Sequence, residues 1–388
     1  MGGTTHYDVL GHVFTLAPAP AAGWSTMCWP TAVQEGGVTY FAYNKGWVGD
    51  ICINGWDEAT QSLIGETVLW AAPFTPDDHD SPCILIRPDG KLQVFVAGHG
   101  SGTLLTRVSS STVASDPDLS GGFDSEVDLD SQLGGDIYTY VSVIKLSSEI
   151  CLVYRDESGS VAKWALATSS DGDTWNTQTI IFNEDPSGVK RPYMTAMGSG
   201  TRIDFIINED HPDNETDVSS FHFYRESGTY RESNGTSMGS PPFTTSDATL
   251  LYDATGQKGS RGLDLAMDGS NIVALFYVVN TISDVQLWWG RWDGSAWDKA
   301  QISDDFLFLP VGDGQPAVAS LDRDDPHIIY ASLQDGTRME IFKITVDDVG
   351  AITETEQLTQ NSKDDQFQPF VPLNASSAIR AYWRYGTR

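Results

Sequence analysis

Residues 83–97 read CILIRPDGKLQVFVA, an apolar run (Cys83–Ile86), a polar break and a second apolar run at 92–97. The break contains Asp89-Gly90, and this dipeptide supplies the positive φ that the central residues of a tight hairpin need. The stretch therefore predicts two antiparallel strands. The same unit recurs in both directions along the chain. Runs rich in β-branched and aromatic residues lie at 38–43, 149–154, 203–207, 272–278, 285–292, 328–332 and 339–344. Asn54-Gly55, Asp268-Gly269, Asp293-Gly294 and Asp335-Gly336 punctuate them. Helical periodicity is almost absent, so the expected class is all-β.

Strand clusters begin near residues 38, 82, 137, 191, 261, 315 and 366. Their spacing, about 55 residues, is that of a four-stranded propeller blade. The expectation is a single domain spanning residues 1–388, a seven-bladed β-propeller of four-stranded antiparallel blades. The N-terminal segment (12–16 or 38–43) is expected to close the ring with the last blade. The Ser/Gly/Asp stretches at 109–135 and 232–248 read as long loops. A seven-residue turn, Ser169-Ser170-Asp171-Gly172-Asp173-Thr174-Trp175, is one residue shorter than the S-x-D-x-G-x-T-W box of neuraminidase repeats and reads as a structural lock without chemistry.

Composition narrows the function. With 388 residues, 40% hydrophobic and 11% aromatic, the chain can bury a sizeable core and is not disordered. No apolar run reaches the roughly 18–20 residues of a membrane span, so no membrane insertion is expected. The opening MGGTTHYDVLGHVF has neither a basic n-region nor an apolar h-region. It does not read as a signal peptide, and the expected location is extracellular or virion-associated. Asp plus Glu number 53 against 23 Lys plus Arg, a net charge of −30. Asp (39) exceeds Glu (14), and Lys is rare at 9. Such a surface suits high salt, where self-repulsion is screened within about 3 Å at 1 M. It disfavours nucleic acid, which needs a basic stripe. Cys28, Cys52, Cys83 and Cys151 show no zinc-like spacing and read as buried free thiols.

The seven His are sparse enough for their positions to matter. His79 lies in a loop before an apolar strand, and His99 follows the next strand in Gly98-His99-Gly100. His211 follows the run at 203–207. Tyr140 and Tyr193 precede strands, and Arg155 ends one. Strand ends in successive blades are where a propeller carries a site. Taken singly, each of these residues is more ordinarily a surface or rim side chain; together they mark a polar site.

The order of these residues resembles a known family. Residues 75–100, TPDDHDSPCILIRPDGKLQVFVAGHG, resemble the D-D-H-N-x-P … G-H-N/G signature of the neuraminidase-repeat-like (BNR-4 type) propellers that include ulvan lyases, polysaccharide lyase families 24 and 25. Thr139-Tyr140 is similar to the family's T-Y, Val153-Tyr154-Arg155 to its F-Y-R, Arg191-Pro192-Tyr193 to its R-P-Y and Asp210-His211-Pro212 to its G-H-P. Ala381-Tyr382-Trp383-Arg384 resembles its closing strand. Three positions depart from the pattern: Asp80 stands for Asn, Val141 for Pro and Asp210 for Gly.

The resemblance implies a uronic-acid polysaccharide lyase acting by β-elimination. Such an enzyme must neutralise the uronate carboxylate, remove the C5 proton and protonate the O4 leaving group. Arg155 with His211 is expected to neutralise the carboxylate, because guanidinium is always charged and can bind a carboxylate bidentately. His79 is the expected base and Tyr140 the acid, or the reverse. His99 and Tyr193 would orient the sugar, and Lys190 and Arg191 add cationic contacts. No cofactor is required. Structural calcium is left open at Asp-rich turns such as 322–325 and 347–348. Expected partners are an anionic polysaccharide or cell-surface glycan, and virion components if the protein is viral. Sialidase chemistry is disfavoured, since no F/Y-R-I-P precedes the 169–175 turn. The many acids leave two-carboxylate hydrolysis open. The non-enzymatic rival is a glycan-binding, receptor-recognition propeller of a virus spike, turret or tail fibre, with a haloarchaeal virus among the sources the acidic surface suits.

Overall fold

A computed structural model describes residues 7–8, 11–12, 22–23, 28–45, 49–75, 79–212, 215–281, 284–304, 319–363, 365–375 and 381–386. The chain divides into two compact units. One is built on Ala19–Val189 with Pro372–Ala378, the other on Lys190–Val371 with the chain ends.

The first unit holds three blades, each an antiparallel meander. Blade 1 runs Ala32–Glu35, Val38–Lys45, Asp50–Asp57 and Thr67–Trp70, with the short strands Ala22–Gly23 and Ser62–Leu63 added. Blade 2 is Cys83–Ile86, Lys91–Ala97, Leu104–Thr112 and Val127–Asp128. Blade 3 is Tyr138–Lys145, Ile150–Asp156, Lys163–Ser169 and Thr179–Phe182.

The uninterrupted apolar runs have a simple cause. Successive side chains of a strand point to opposite faces, and an inner blade strand is covered on both. Ile84, Ile86, Leu92, Val94 and Val96 pack with Tyr40, Ala42, Ile51 and Ile53 of blade 1. Their alternates Cys83, Leu85, Phe95 and Ala97 pack with Tyr138, Val143, Leu152 and Tyr154 of blade 3. Each fully buried side chain of this kind contributes about 1.5–3 kcal/mol.

The second unit repeats the scheme. Blade 4 is Met194–Ser199, Arg202–Asn208, Ser220–Glu226 and Thr249–Tyr252, with Thr229–Glu232 and Ser237–Gly239 added. Blade 5 is Gly259–Asp268, Asn271–Thr281, Asp284–Trp292 and Trp297–Ser303. Blade 6 is Ala319–Leu321, Ile328–Asp335, Arg338–Val346 and Ile352–Gln357. On Asn271–Thr281, Val273, Leu275, Tyr277 and Val279 pack with Leu321, Ile329 and Ala331 of blade 6. Ala274, Phe276 and Val278 pack with Met197, Ile206 and Leu251 of blade 4.

The fold is all-β with six four-stranded blades, not the expected seven. Six of the seven predicted clusters are blades. The seventh start, near 366, falls in a two-stranded sheet of Asp365–Phe370 and Tyr382–Gly386. Too few residues follow Ile352–Gln357 to make four more strands. Blade 4 carries an extra hairpin in the stretch that reads as a loop, and this insertion stretches the average spacing. Of the segments considered for ring closure, Val38–Lys45 is the second strand of blade 1, and residues 13–16 lie outside the described ones.

The turn at 169–175 is a lock, as its sequence indicates. Asp171 Oδ1 accepts the amides of Asp173 and Thr174, both at 2.9 Å, and the Ser169 hydroxyl. Trp175 Nε1 donates to Gly172 O at 3.0 Å. The amide donors hold the Asp171 carboxyl below its ordinary range. All four cysteines are free and buried.

Candidate functional site

Four of the predicted residues come together in the first unit. Tyr138–Lys145 and Ile150–Asp156 pair with Thr139 opposite Arg155, and the register shifts between Thr139 and Ser142. That bulge holds Tyr140 at φ +57°, a left-handed conformation that costs a bulky residue about 1–3 kcal/mol. A strained backbone at a buried aromatic persists only where its surroundings impose it. Here Val141, in place of the family's proline, is buried in the blade core.

Tyr140 stands in a column of rings. His99 stacks on His79 with centroids 3.8 Å apart and planes 6° from parallel. His79 lies 4.9 Å from Tyr140, and Tyr140 lies 6.4 Å from Trp164. His99 is exposed, His79 half-buried, and Tyr140 and Trp164 are buried. The Arg155 guanidinium lies 4.5 Å from the Tyr140 ring centroid, in cation–π range. Its Nη2 is 2.5 Å from Glu157 Oε1, and its side chain is 1% exposed. The column thus runs from a solvent-facing imidazole to a buried phenol with a fixed positive charge at its ring.

The His99 loop is held onto blade 3. Gly100 N donates to Thr139 Oγ1 at 3.0 Å, and Tyr138 N donates to Ser101 O at 2.7 Å. At Gly98 a Cβ would lie 2.7 Å from the Phe74 ring, so only glycine lets the loop pass there. Beneath His79, Asp80 and Ser81 are buried, and the Cys28 thiol faces the His79 carbonyl at 4.0 Å. Residues 76–78 of the same motif lie outside the described ones.

The other four predicted residues belong to the second unit. Tyr193 meets His211 edge-on, with centroids 5.2 Å apart at 87°. Asp210, in place of the family's glycine, ties the two segments together. Its Oδ1 accepts the amides of Arg191 at 2.9 Å and His211 at 2.8 Å. Lys190 Nζ is 3.3 Å from Glu209 Oε2, and Arg191 is exposed. Sequence reasoning missed three partners of these residues. Trp164 sits opposite Arg155 on the next strand, and Glu157 is two residues beyond it. Arg261 lies over the Tyr193 ring at 4.3 Å.

Among the described residues, no three His, Cys, Asp or Glu side chains gather as a metal site would require. The Asp-rich turns considered for calcium direct carboxylates at their own backbone. Asp322 Oδ1 accepts the amides of Asp324 and Asp325, and Asp347 Oδ1 those of Val349 and Ala351. A concavity of about 320 Å³ on blade 2 is lined by Arg87, Lys91, Gln93, Arg107, Asp124 and Asp173, among others, and by none of the predicted site residues. Its charges are internally paired, Arg87 with Asp173 at 2.5 Å and Lys91 with Asp124 at 3.9 Å.

Comparison with known proteins gives the fold relatives. A polysaccharide lyase of family 25, an ulvan lyase, aligns with a TM-score of 0.74 at 16% identity, over 95% of this chain and 91% of its own. The same enzyme type bound to -[GlcA(1-4)Rha3S]- gives 0.73 at 15% identity with the same coverage. A prolyl endopeptidase aligns at 0.51 and 12% identity, over 92% of this chain and 44% of its own. At these identities the likeness shows the β-propeller fold. No curated protein sequence matches. The sequence model of the BNR repeat-containing family matches residues 51–305, and the chain belongs to that family.

Proposed function

We propose that the protein is a polysaccharide lyase that cleaves an anionic, uronic-acid-containing glycan by β-elimination. The observation that carries this reading is the His99–His79–Tyr140 column with Arg155 on its buried end. Its fold relatives include an ulvan lyase seen with a glucuronate-containing ligand. β-Elimination needs a base, an acid and a positive charge near one another, and the column brings together imidazole, phenol and guanidinium.

In this reading His79 takes the C5 proton and Tyr140 protonates the O4 leaving group, or the two exchange roles. Arg155 supplies the permanent charge for the uronate carboxylate. Glu157 is its counter-ion before substrate arrives and must share it with the incoming carboxylate. His99, exposed at the mouth of the column, contacts the sugar. In the second unit the Tyr193–His211 pair supplies further sugar-handling groups, with Lys190 and Arg191 as cationic contacts. Each step moves a proton or stabilises a charge, and none calls for a cofactor.

The test is incubation with a panel of uronate-rich polysaccharides while following the ultraviolet absorbance of a 4,5-unsaturated product. Absorbance is expected to rise with the native protein and to stay flat, with the fold retained, in His79→Ala and Tyr140→Phe. Losses of about 10²–10⁴-fold are the scale for a general acid or base. Glycan binding with no unsaturated product on any substrate would overturn the lyase and favour a receptor-recognition propeller.

A further inference from the structure

Blade 5 opens with Gly259-Ser260-Arg261-Gly262, and the two glycines bring this strand unusually close to blade 4. At Gly259 a Cβ would lie 2.8 Å from Pro212 Cβ, and at Gly262 one would lie 2.9 Å from Ile206 Cβ. Neither position has room for a side chain. The strand is also tied to Tyr193 by hydrogen bonds. Tyr193 N donates to Asn208 Oδ1 at 2.7 Å, and Asn208 Nδ2 donates to Ser260 O at 3.2 Å. Thr195 Oγ1 donates to Gly262 O at 2.9 Å. One buried carboxamide and one hydroxyl therefore fix the backbone on both sides of Arg261 relative to the backbone around Tyr193.

Arg261 points its charge at the one ring this frame presents to it. The guanidinium lies 4.3 Å from the Tyr193 centroid, and the residue is 5% exposed. Cation–π attraction is strongest when the cation is desolvated. Tyr193 in turn meets His211 at 87°. The ring is thus held between a buried cation and an imidazole.

We propose that Arg261 is a positioning residue of the site: by holding the Tyr193 ring edge-on to His211, it sets the geometry in which those two groups meet the glycan. The proposal rests on the lyase reading for its consequence in turnover, but not for its structural content. Gly259 and Gly262 are part of the same device, because bulk at either would lift Arg261 away from the ring.

The experiment compares Arg261→Met, which keeps the unbranched stem and removes the charge, with Arg261→Lys, which keeps a cation. The readout is the His211 imidazole carbon-bound proton resonance, assigned by its disappearance in His211→Gln and sensitive to the ring current of Tyr193. Arg261→Met is expected to move that signal toward its position in Tyr193→Leu, and Arg261→Lys to leave it near the native position. A native signal in a folded Arg261→Met protein would overturn the proposal, as would equal displacement in both variants. If Arg261→Met does not fold, Arg261→Gln takes its place in the comparison. On a cleaved substrate, Arg261→Met should lower kcat about 10- to 100-fold with KM little changed, and Arg261→Lys should restore most of it. If the native protein proves inactive on every uronate glycan, the lyase reading falls while the resonance comparison still decides Arg261.

Discussion

Arg155 shows how much one buried charge can organise. Its side chain is 1% exposed, it covers the Tyr140 ring, and Glu157 is its ion-pair partner. Removing one member of a buried pair leaves the other charge uncompensated, at a cost of about 3–5 kcal/mol. Glu157→Gln is therefore expected to destabilise the first unit by about 3 kcal/mol, seen as a lower thermal or urea midpoint. An unchanged midpoint would mean that solvent or another group already meets the Arg155 charge. The residues of this site are partly legible in the sequence. His79, His99, Tyr140 and Arg155 stand in short motifs at strand ends, and a motif survives without knowledge of the fold. Trp164, Glu157 and Arg261 stand in none. They reach the site through strand register, a turn and a neighbouring blade, none of which a linear pattern encodes. The left-handed Tyr140 is likewise invisible in sequence, because an aromatic before a valine carries no turn signal.

At the scale of a single element, blade 4 holds a buried polar network that the proposed chemistry does not use. His222 is fully buried, with Nδ1 2.8 Å from Ser233 Oγ and Nε2 3.0 Å from Asp204 Oδ1, and Asp204 is paired with Arg202. Burial depresses the His222 pKa below its ordinary value, opposed by Asp204 and reinforced by the Arg202 charge. The sign of the consequence follows from linkage. Between the depressed native pKa and the unfolded value near 6.5, the unfolded chain binds a proton that the native blade refuses. Stability is thus full above about pH 6.5 and falls as the pH drops below it. Urea midpoints from pH 7 down to pH 5 are expected to decline in the native protein and to decline less in His222→Gln. Equal slopes would place the titration elsewhere. Blades themselves are readable, since the period-two alternation of residues 83–97 reports burial on both faces. Their number is not. An average spacing cannot distinguish a blade from a two-stranded remnant, and the extra hairpin of blade 4 reads as loop because Gly, Ser and Asn dominate it.

The whole chain carries −30, yet an anionic glycan is its proposed substrate. The cations nearest the proposed chemistry do little to offset that at long range, because Arg155 is neutralised by Glu157 and Lys190 by Glu209. An approaching uronate polymer therefore meets net repulsion at distance and favourable contacts only on arrival. Salt acts on these two ranges unequally. The screening length falls from about 10 Å at 0.1 M to about 3 Å at 1 M, which removes the repulsion between separated charges, while pairs inside a part-buried site are screened much less. The expected outcome is opposite to that for an ordinary protein–polyanion complex, whose affinity falls steeply with salt. KM for a cleaved uronate polysaccharide should be lower at about 1 M than at about 0.1 M sodium chloride, with kcat changing less. A KM that rises with salt would show that local cations outweigh the global charge, and would remove the reason for reading the acidic surface as an adaptation to concentrated salt.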